Sequence, residues 1–317
     1  LQIEPIGNRQ SAIGNPLIEC VPNFSEGRKP EVITQIAASI ESVAGAIVLN
    51  KHIDRDHNRS VITFVGSPGV IVEAAVRAVR SAAELIDLRQ HAGEHPRIGA
   101  TDVFPFVPFE GATMDECVSL AHLAGERIAN ELGIPVFFYE YAAIKQERRN
   151  LETVRRGGLK GLRERMANEE LWKPDVGQNH LHETAGACVV GARQFLIAYN
   201  ITLTTDDVLI AQRISKRIRA SDGGLPFLKA LGMKLHTKNT AQVSMNLIDF
   251  EKTSIDDAFQ AVKREAENEG VKILKSEIVG LVPRTALDES AEYFQTIENF
   301  TEQTILENRI AYCFSCL

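Results

Sequence analysis

Two histidines, a glutamate, an arginine and a proline fall within nine positions in HAGEHPRIG, residues 91 to 99. His91-Ala-Gly-Glu94-His95 fits the H-x-x-E-H pattern of inverted zinc proteases, in which both histidines project from one helix face and the glutamate activates a metal-bound water. The backbone argues otherwise. Pro96 lacks an amide and its ring meets the carbonyl of Ala92, Gly93 costs about 1 kcal/mol of helix propensity, and His95, ahead of a proline, favours extended geometry. The segment reads as a loop or the start of a strand, with no metal. An imidazole held there beside Glu94 and Arg97 suits acid–base chemistry.

Two more polar clusters fall between apolar runs: VPNFSEG at 21–27 and HIDRDHNR at 52–59. Asn23, Ser25 and Glu26 fit the turn that begins a helix, where side-chain oxygens accept from exposed amides. Asp54, Asp56, His57, Asn58 and Arg59 fit a solvated hairpin turn. Each cluster also fits a ligand site, because sequential elements bring such ends together at one edge of a sheet. Arg59 and Arg97 would then serve as planar forks for carboxylates. His180 and His182 have strand spacing but no further metal ligands close by in the sequence.

These residues need a scaffold, and the apolar spacing supplies one. LIECVPNF reads as a strand, KPEVITQIAASIESV as a helix, AIVLNKHI and SVITFVG as two strands, and PGVIVEAAVRAVRSAAELIDL as a helix of about five turns. TDVFPFVPF, MDECVSLAHLAGERIANEL and IPVFFYEYAA continue as strand, helix and strand. The stretch from Arg148 to Ala187 is polar and charged, with short helical pieces, and reads as a surface excursion across the mouth of a cleft. Within it Arg155, Arg156, Lys160, Arg163 and Arg165 form a basic run suited to drawing in an anionic tail. RQFLIAYNITL then opens a β-α-β-β-α-β series that ends in VKILKSEIVGLV. This is the ferredoxin-like order, and the first half begins in the same way. The expected fold is α/β (α+β), two ferredoxin-like βαββαβ lobes with a ligand cleft between them. The expected divisions are an arm at 1–16, lobes at 17–194 and 195–306, and a tail at 307–317.

A net charge of −7 disfavours a nucleic-acid partner. No apolar run is long enough to span a membrane, the first residues lack a secretory pattern, and Cys20, Cys117, Cys188, Cys313 and Cys316 are odd in number. These features point to a cytoplasmic protein with reduced thiols and small-molecule substrates.

Taken together, ECVPNFSEGR, DHNRSVITFVG, HAGEHPRIGATDVFPFVP, PDVGQNHLHETAGACVVGARQFLIAYN and AQVSMNLIDFE resemble the glutamate formimidoyltransferase family, across residues 17–306. The resemblance implies transfer of a formimidoyl group from N-formimidoyl-L-glutamate to N5 of tetrahydrofolate in histidine degradation. A formyl donor, or a folate-binding protein without catalysis, remains open at this point. His95 is implied as general base. His52 stands where the mammalian form has a catalytic aspartate, so His52 or Asp54 would fill that role. Folate contacts are implied across Gly177, Gln178, Asn179, His180, Leu181, His182, Glu183, Thr184, Ala185 and Gly186. Asn23, Asn58, Arg59, Glu94 and Arg97 are the expected substrate contacts. Tetrahydrofolate is the co-substrate, no metal is expected, and the family implies a homo-oligomer.

Overall fold

The computed structural model describes residues 16–91, 97–235 and 239–315. The chain is mixed α/β and forms two sheets. The first is built from β1 (Ile18–Cys20), β2 (Asn23–Phe24), β3 (Ile47–Asp54), β4 (Arg59–Gly66), β5 (Thr101–Pro108), β6 (Val136–Glu140) and β7 (Cys188–Ala192). Its helices are α1 (Pro30–Glu41), α2 (Pro68–Leu85), α3 (Met114–Leu132), α4 (Leu151–Arg155) and α5 (Gly158–Asn168). Proline opens α1 and α2, where the missing amide costs nothing. A Thr113/Glu116 capping box starts α3, and Gly133 ends it at φ 67°.

LIECVPNF forms two short strands rather than one. Pro22 has no amide to give the ladder, though its carbonyl still accepts from Ile62 at 3.1 Å. β1 and β2 nevertheless occupy one lane, each antiparallel to β4 on one side and β5 on the other. β3 flanks β4, and β7 and β6 extend the sheet in parallel beyond β5. β7 was not foreseen, because CVVGA is short, wholly buried and without alternation. Gly191 within it is required by the Tyr139 ring, with which any Cβ would collide.

The second sheet contains β8 (Ile197–Leu203), β9 (Leu228–Leu235), β10 (Thr240–Leu247) and β11 (Ile273–Val279), in the order β11-β8-β10-β9, with α6 (Val208–Ile218) and α7 (Ile255–Asn268) as its crossovers. The order β5, β1/β2, β4, β3 in the first sheet repeats this arrangement, fourth-first-third-second. Both sheets are therefore split βαβ units, and the first carries two added strands. The stretch expected as a tail contains α8 (Leu306–Ser315). Among the described residues no helix is long and apolar enough to cross a membrane.

On one face of the first sheet, Ile18, Cys20, Phe24, Ile62, Phe64, Phe104 and Phe106 pack beneath α1, α2 and α3. The opposite face is covered in two places. Val154, Leu162, Met166 and Trp172 lie over Val103, Phe137, Tyr139 and Val189. Leu281, Leu306 and Ile310 lie over Leu49 and Val65. The lane of β1 and β2 runs between these covers, and its alternation turns Glu19 and Asn23 onto the same face.

Candidate active site

The three polar clusters meet at the ends of β2, β4 and β5. Ser25 donates its hydroxyl to the Gly99 carbonyl at 2.7 Å, and its amide bonds Ala100 at 2.8 Å. Glu26 accepts from the amides of Arg28 and Lys29 at 2.7 and 3.0 Å, satisfying the exposed donors ahead of α1. The Gly27 amide donates to Asn58 Oδ1 at 2.9 Å. Only glycine fits at 27, since a Cβ would collide with the Asp54 carbonyl oxygen and the Arg59 amide. Asn58 closes the β3–β4 turn at φ 47°, a backbone position that asparagine tolerates.

His52 and Asp54 alternate onto one face of β3, and Asp54 stands opposite Arg59 in the ladder. Arg59 donates to Asn23 Oδ1. Asp54 accepts from the His57 amide at 2.9 Å and pairs with its Nδ1 at 2.5 Å. Burial alone would raise the Asp54 carboxyl, but these bonds and the charges of His57 and His52 hold it at about 2. Burial keeps the His52 imidazole below its ordinary range, against the opposing pull of Glu277 from β11 and of Asp54. The second sheet thus contributes a charge to the surroundings of a residue on the first.

His91 links the clusters. Its Nε2 is 3.0 Å from the Asn58 carbonyl and 2.9 Å from Nη1 of Arg97. The carbonyl asks for an N–H and the guanidinium for a lone pair, so the ring tautomer selects which contact is a hydrogen bond. A cavity of about 370 Å³ beside it is lined by Glu26, Arg28, Asn58, Asp87 and His91 among others. In the sequence, His91 stands out only as part of a metal pattern. His95 and Glu94 lie outside the described residues.

Asp102 is a second feature not foreseen. The register between β2 and β5 steps from Asn23↔Val103 to Phe24↔Thr101, which leaves Asp102 unopposed in a bulge. Its Oδ1 accepts from the Ile98 amide at 2.7 Å, and its Oδ2 is 2.5 Å from Nη2 of Arg155. Arg59 is held down to about 9 by burial, and next by the positive charge of Arg155. Burial likewise lowers Arg97.

The segment 177–186 divides. Gly177 packs against Ala129 and Pro135, away from the strand ends, and Gln178, Asn179 and His180 are exposed. Leu181 packs on the cluster beneath α5. From His182 onward the chain joins the site. His182 exchanges backbone bonds with Gly186 at 2.8 and 3.0 Å, Gly186 bridges Gly99, and the Thr184 carbonyl accepts from Leu88 at 2.9 Å. The Ala185 amide donates to His182 Nδ1 at 3.1 Å, and Glu183 pairs with Arg89 at 2.7 Å. The basic run is not a uniform solvated face. Arg156, Lys160 and Arg163 are exposed, but Arg155 turns to Asp102 and Arg165 donates to the carbonyls of Thr153, Val154 and Arg156.

Residues 17–193 match the family model described as formiminotransferase domain, N-terminal subdomain, and residues 198–312 match that of the formiminotransferase domain. The chain is similar to glutamate formimidoyltransferase of Streptococcus pyogenes serotype M1, at 46% identity over 93% of this chain and 98% of that protein. It is equally similar to glutamate formimidoyltransferase of Thermoplasma acidophilum, at 46% identity over 93% and 97% of the two chains. Its likeness to formimidoyltransferase-cyclodeaminase of Dictyostelium discoideum, at 42% identity, takes in 94% of this chain and 56% of the longer protein. The matches run through both sheets and through all the segments that meet at the strand ends, and the chain belongs to the formiminotransferase family of one-carbon-group transferases.

Proposed function

We propose that the chain is a glutamate formimidoyltransferase, moving the formimidoyl group of N-formimidoyl-L-glutamate to N5 of tetrahydrofolate in histidine degradation. The observation that carries this reading is its near-complete correspondence in length and sequence with relatives bearing that name. The site is chemically compatible with it. Arg59, Arg97 and Arg155 converge near the strand ends, and both substrates carry glutamate carboxylates. In this reading residues 17–194 and 195–306 form the two lobes, with folate held between them. A cytoplasmic homo-oligomer completes the proposal, on family resemblance.

Tetrahydrofolate supplies the nucleophilic nitrogen. As the N5–carbon bond forms, His95 takes the N5 proton. It returns a proton to the nitrogen of glutamate as the old carbon–nitrogen bond breaks. Asp54, ionised and fixed by His57, and His52, uncharged through burial, stand on one face of β3 as acceptors for the amino hydrogens on the tetrahedral carbon. Asn23, Asn58, Arg59, Glu94 and Arg97 orient the donor, and residues 182–186 border the folate.

The test is absorbance of 5,10-methenyltetrahydrofolate after acid conversion, with formimidoylglutamate and formylglutamate run in parallel. Product from the formyl donor alone overturns the reading. His95→Ala is expected to lower turnover about 10²- to 10⁴-fold with folate affinity nearly intact. Lost folate affinity at unchanged saturating turnover places the base elsewhere.

A further inference from the structure

We propose that Arg155 is a specificity-determining residue that grips one carboxylate of the donor's glutamate moiety, with Asp102 positioning its guanidinium. This rests on the donor named above. Arg155 ends α4, on the connection between β6 and β7, yet its guanidinium lies at the head of β5. Side-chain exposure is 12% for Arg155 and 4% for Asp102, so the pair is nearly out of solvent.

Three features tie this pair to the strand-end cluster. Asp102 is held from two sides, by the bulge that frees it from the ladder and by the Ile98 amide next to Arg97, so the arginine it anchors is aimed at the site. Nε of Arg155 is buried without a hydrogen-bond partner among the described residues, which leaves a donor on the fork that carboxylates recognise. Arg59, tied to Asn23 on the neighbouring strand, brings a second positive charge close to the first. Asp102 and Asp54 offset part of the repulsion between these guanidinium groups, and a ligand carboxylate beside them relieves more of it. The surroundings agree. Gly158, just after α4, lies against the Arg97 carbonyl, where a Cβ would be 3.5 Å from the oxygen, and the Gly99–Gly186 bridge is adjacent in the chain. A carboxylate at Arg155 therefore belongs to a ligand that also touches the strand-end cluster.

The experiment compares kcat/KM for N-formimidoyl-L-glutamate and its two monoamides, the glutamine and isoglutamine forms, at saturating tetrahydrofolate. Wild type, Arg155→Gln and Arg155→Lys are each measured with all three donors. The ratio of acid to amide is taken within one preparation, so any loss of folded protein cancels. Wild type is expected to prefer the acid over one of the amides by about 10- to 100-fold, the worth of a charge-assisted hydrogen-bonded pair. Arg155→Gln should abolish that preference and Arg155→Lys restore part of it, while KM for tetrahydrofolate stays put. If Arg155→Gln keeps the wild-type preference against both amides, or wild type shows none, the assignment is overturned and Arg155 is a structural partner of Asp102. Failure of wild type to transfer from any of the three donors overturns the reaction, and the assignment with it.

Discussion

Arg148 and Arg155 sit on the same connection and each pairs with a buried aspartate, yet their settings differ. Arg148 is 0% exposed and its partner Asp175 2%, at 3.0 Å. Its guanidinium lies 5.0 Å from the Phe137 ring centroid and 5.6 Å from that of Trp172, and donates to the carbonyls of Leu171 and Lys173. Asp175 in turn accepts from the Phe138 amide at 2.8 Å. The other neighbours of Arg148 are aromatic faces, backbone groups and the Arg165 guanidinium over the same Trp172 ring, so the pair fixes the path of the chain after α5. Arg155 instead lies at the head of β5, the arginine near it is Arg59 of the strand-end cluster, and its aspartate is shared with the backbone beside Arg97. Burial of an ion pair thus does not mark a site by itself. The company it keeps does.

The contrast can be broken most directly at Arg148. Arg148→Ala leaves Asp175 buried and uncompensated, and is expected to cost about 3–5 kcal/mol in a urea titration, with donor preference unchanged in the folded fraction. A shift in donor preference would mean that the two pairs are not separable. Glu19 sharpens the comparison as a buried carboxylate, 1% exposed, whose Oε2 has no hydrogen-bond partner among the described residues. Burial lifts it to about 7, against the charge of Arg193. A raised carboxyl contributes stability that is complete below its ordinary value and is lost as pH rises through about 7. Glu19→Gln should therefore match wild type at pH 4 and exceed it by about 3 kcal/mol above pH 7. Parallel stability curves for the two proteins would contradict this.

Asp54 has the opposite sign. Its lowered carboxyl contributes stability above its ordinary value near 4, lost as pH falls through about 2. Wild type should lose about 2 kcal/mol across that acid window, and Asp54→Asn should flatten this limb of the pH–stability profile. An unchanged slope would show that His57 does not hold the charge. The smallest effect is expected at Arg165, which lies 3.9 Å over Trp172 and donates to three carbonyls of the α4 segment. Arg165→Met should cost about 1–2 kcal/mol, measured by thermal melting. A neutral result would return Arg165 to the solvated basic face.

Much of the scaffold was legible because its periodicities are strong. Val72, Ala75, Val79 and Ala82 repeat at helical spacing in α2, and the β-α-β-β-α-β series gave the order of the second sheet. β7 was not legible, since five buried residues without alternation carry no face signal. The polar clusters themselves announced Asn23, Asp54, Asn58, Arg59 and Arg97, and the structure brings them together with His91. Asp102 and Arg155 escaped notice for different reasons. The bulge that frees Asp102 is a property of pairing between strands and leaves no trace in either strand alone. Arg155 was read among basic neighbours, and nothing local distinguishes the one that turns inward. The stretch 177–186 reads as one continuous polar run, and its division between Gly177, which packs on α3, and His182 to Gly186, which meet the strand ends, leaves no trace in local order.

The helix α8 sets a timetable for synthesis. Arg309 Nε donates to the Leu49 carbonyl at 2.6 Å across 260 residues of chain, and Leu306 and Ile310 cover Leu49 and Val65. A ribosome that has finished β3 and β4 needs on the order of tens of seconds more to deliver that cover. Until then a patch of the first sheet stays open on the face that also carries Asn23 and Arg59. The nascent first half consequently exposes apolar surface until the chain is nearly finished, and its outer face is completed only after the second sheet has been made.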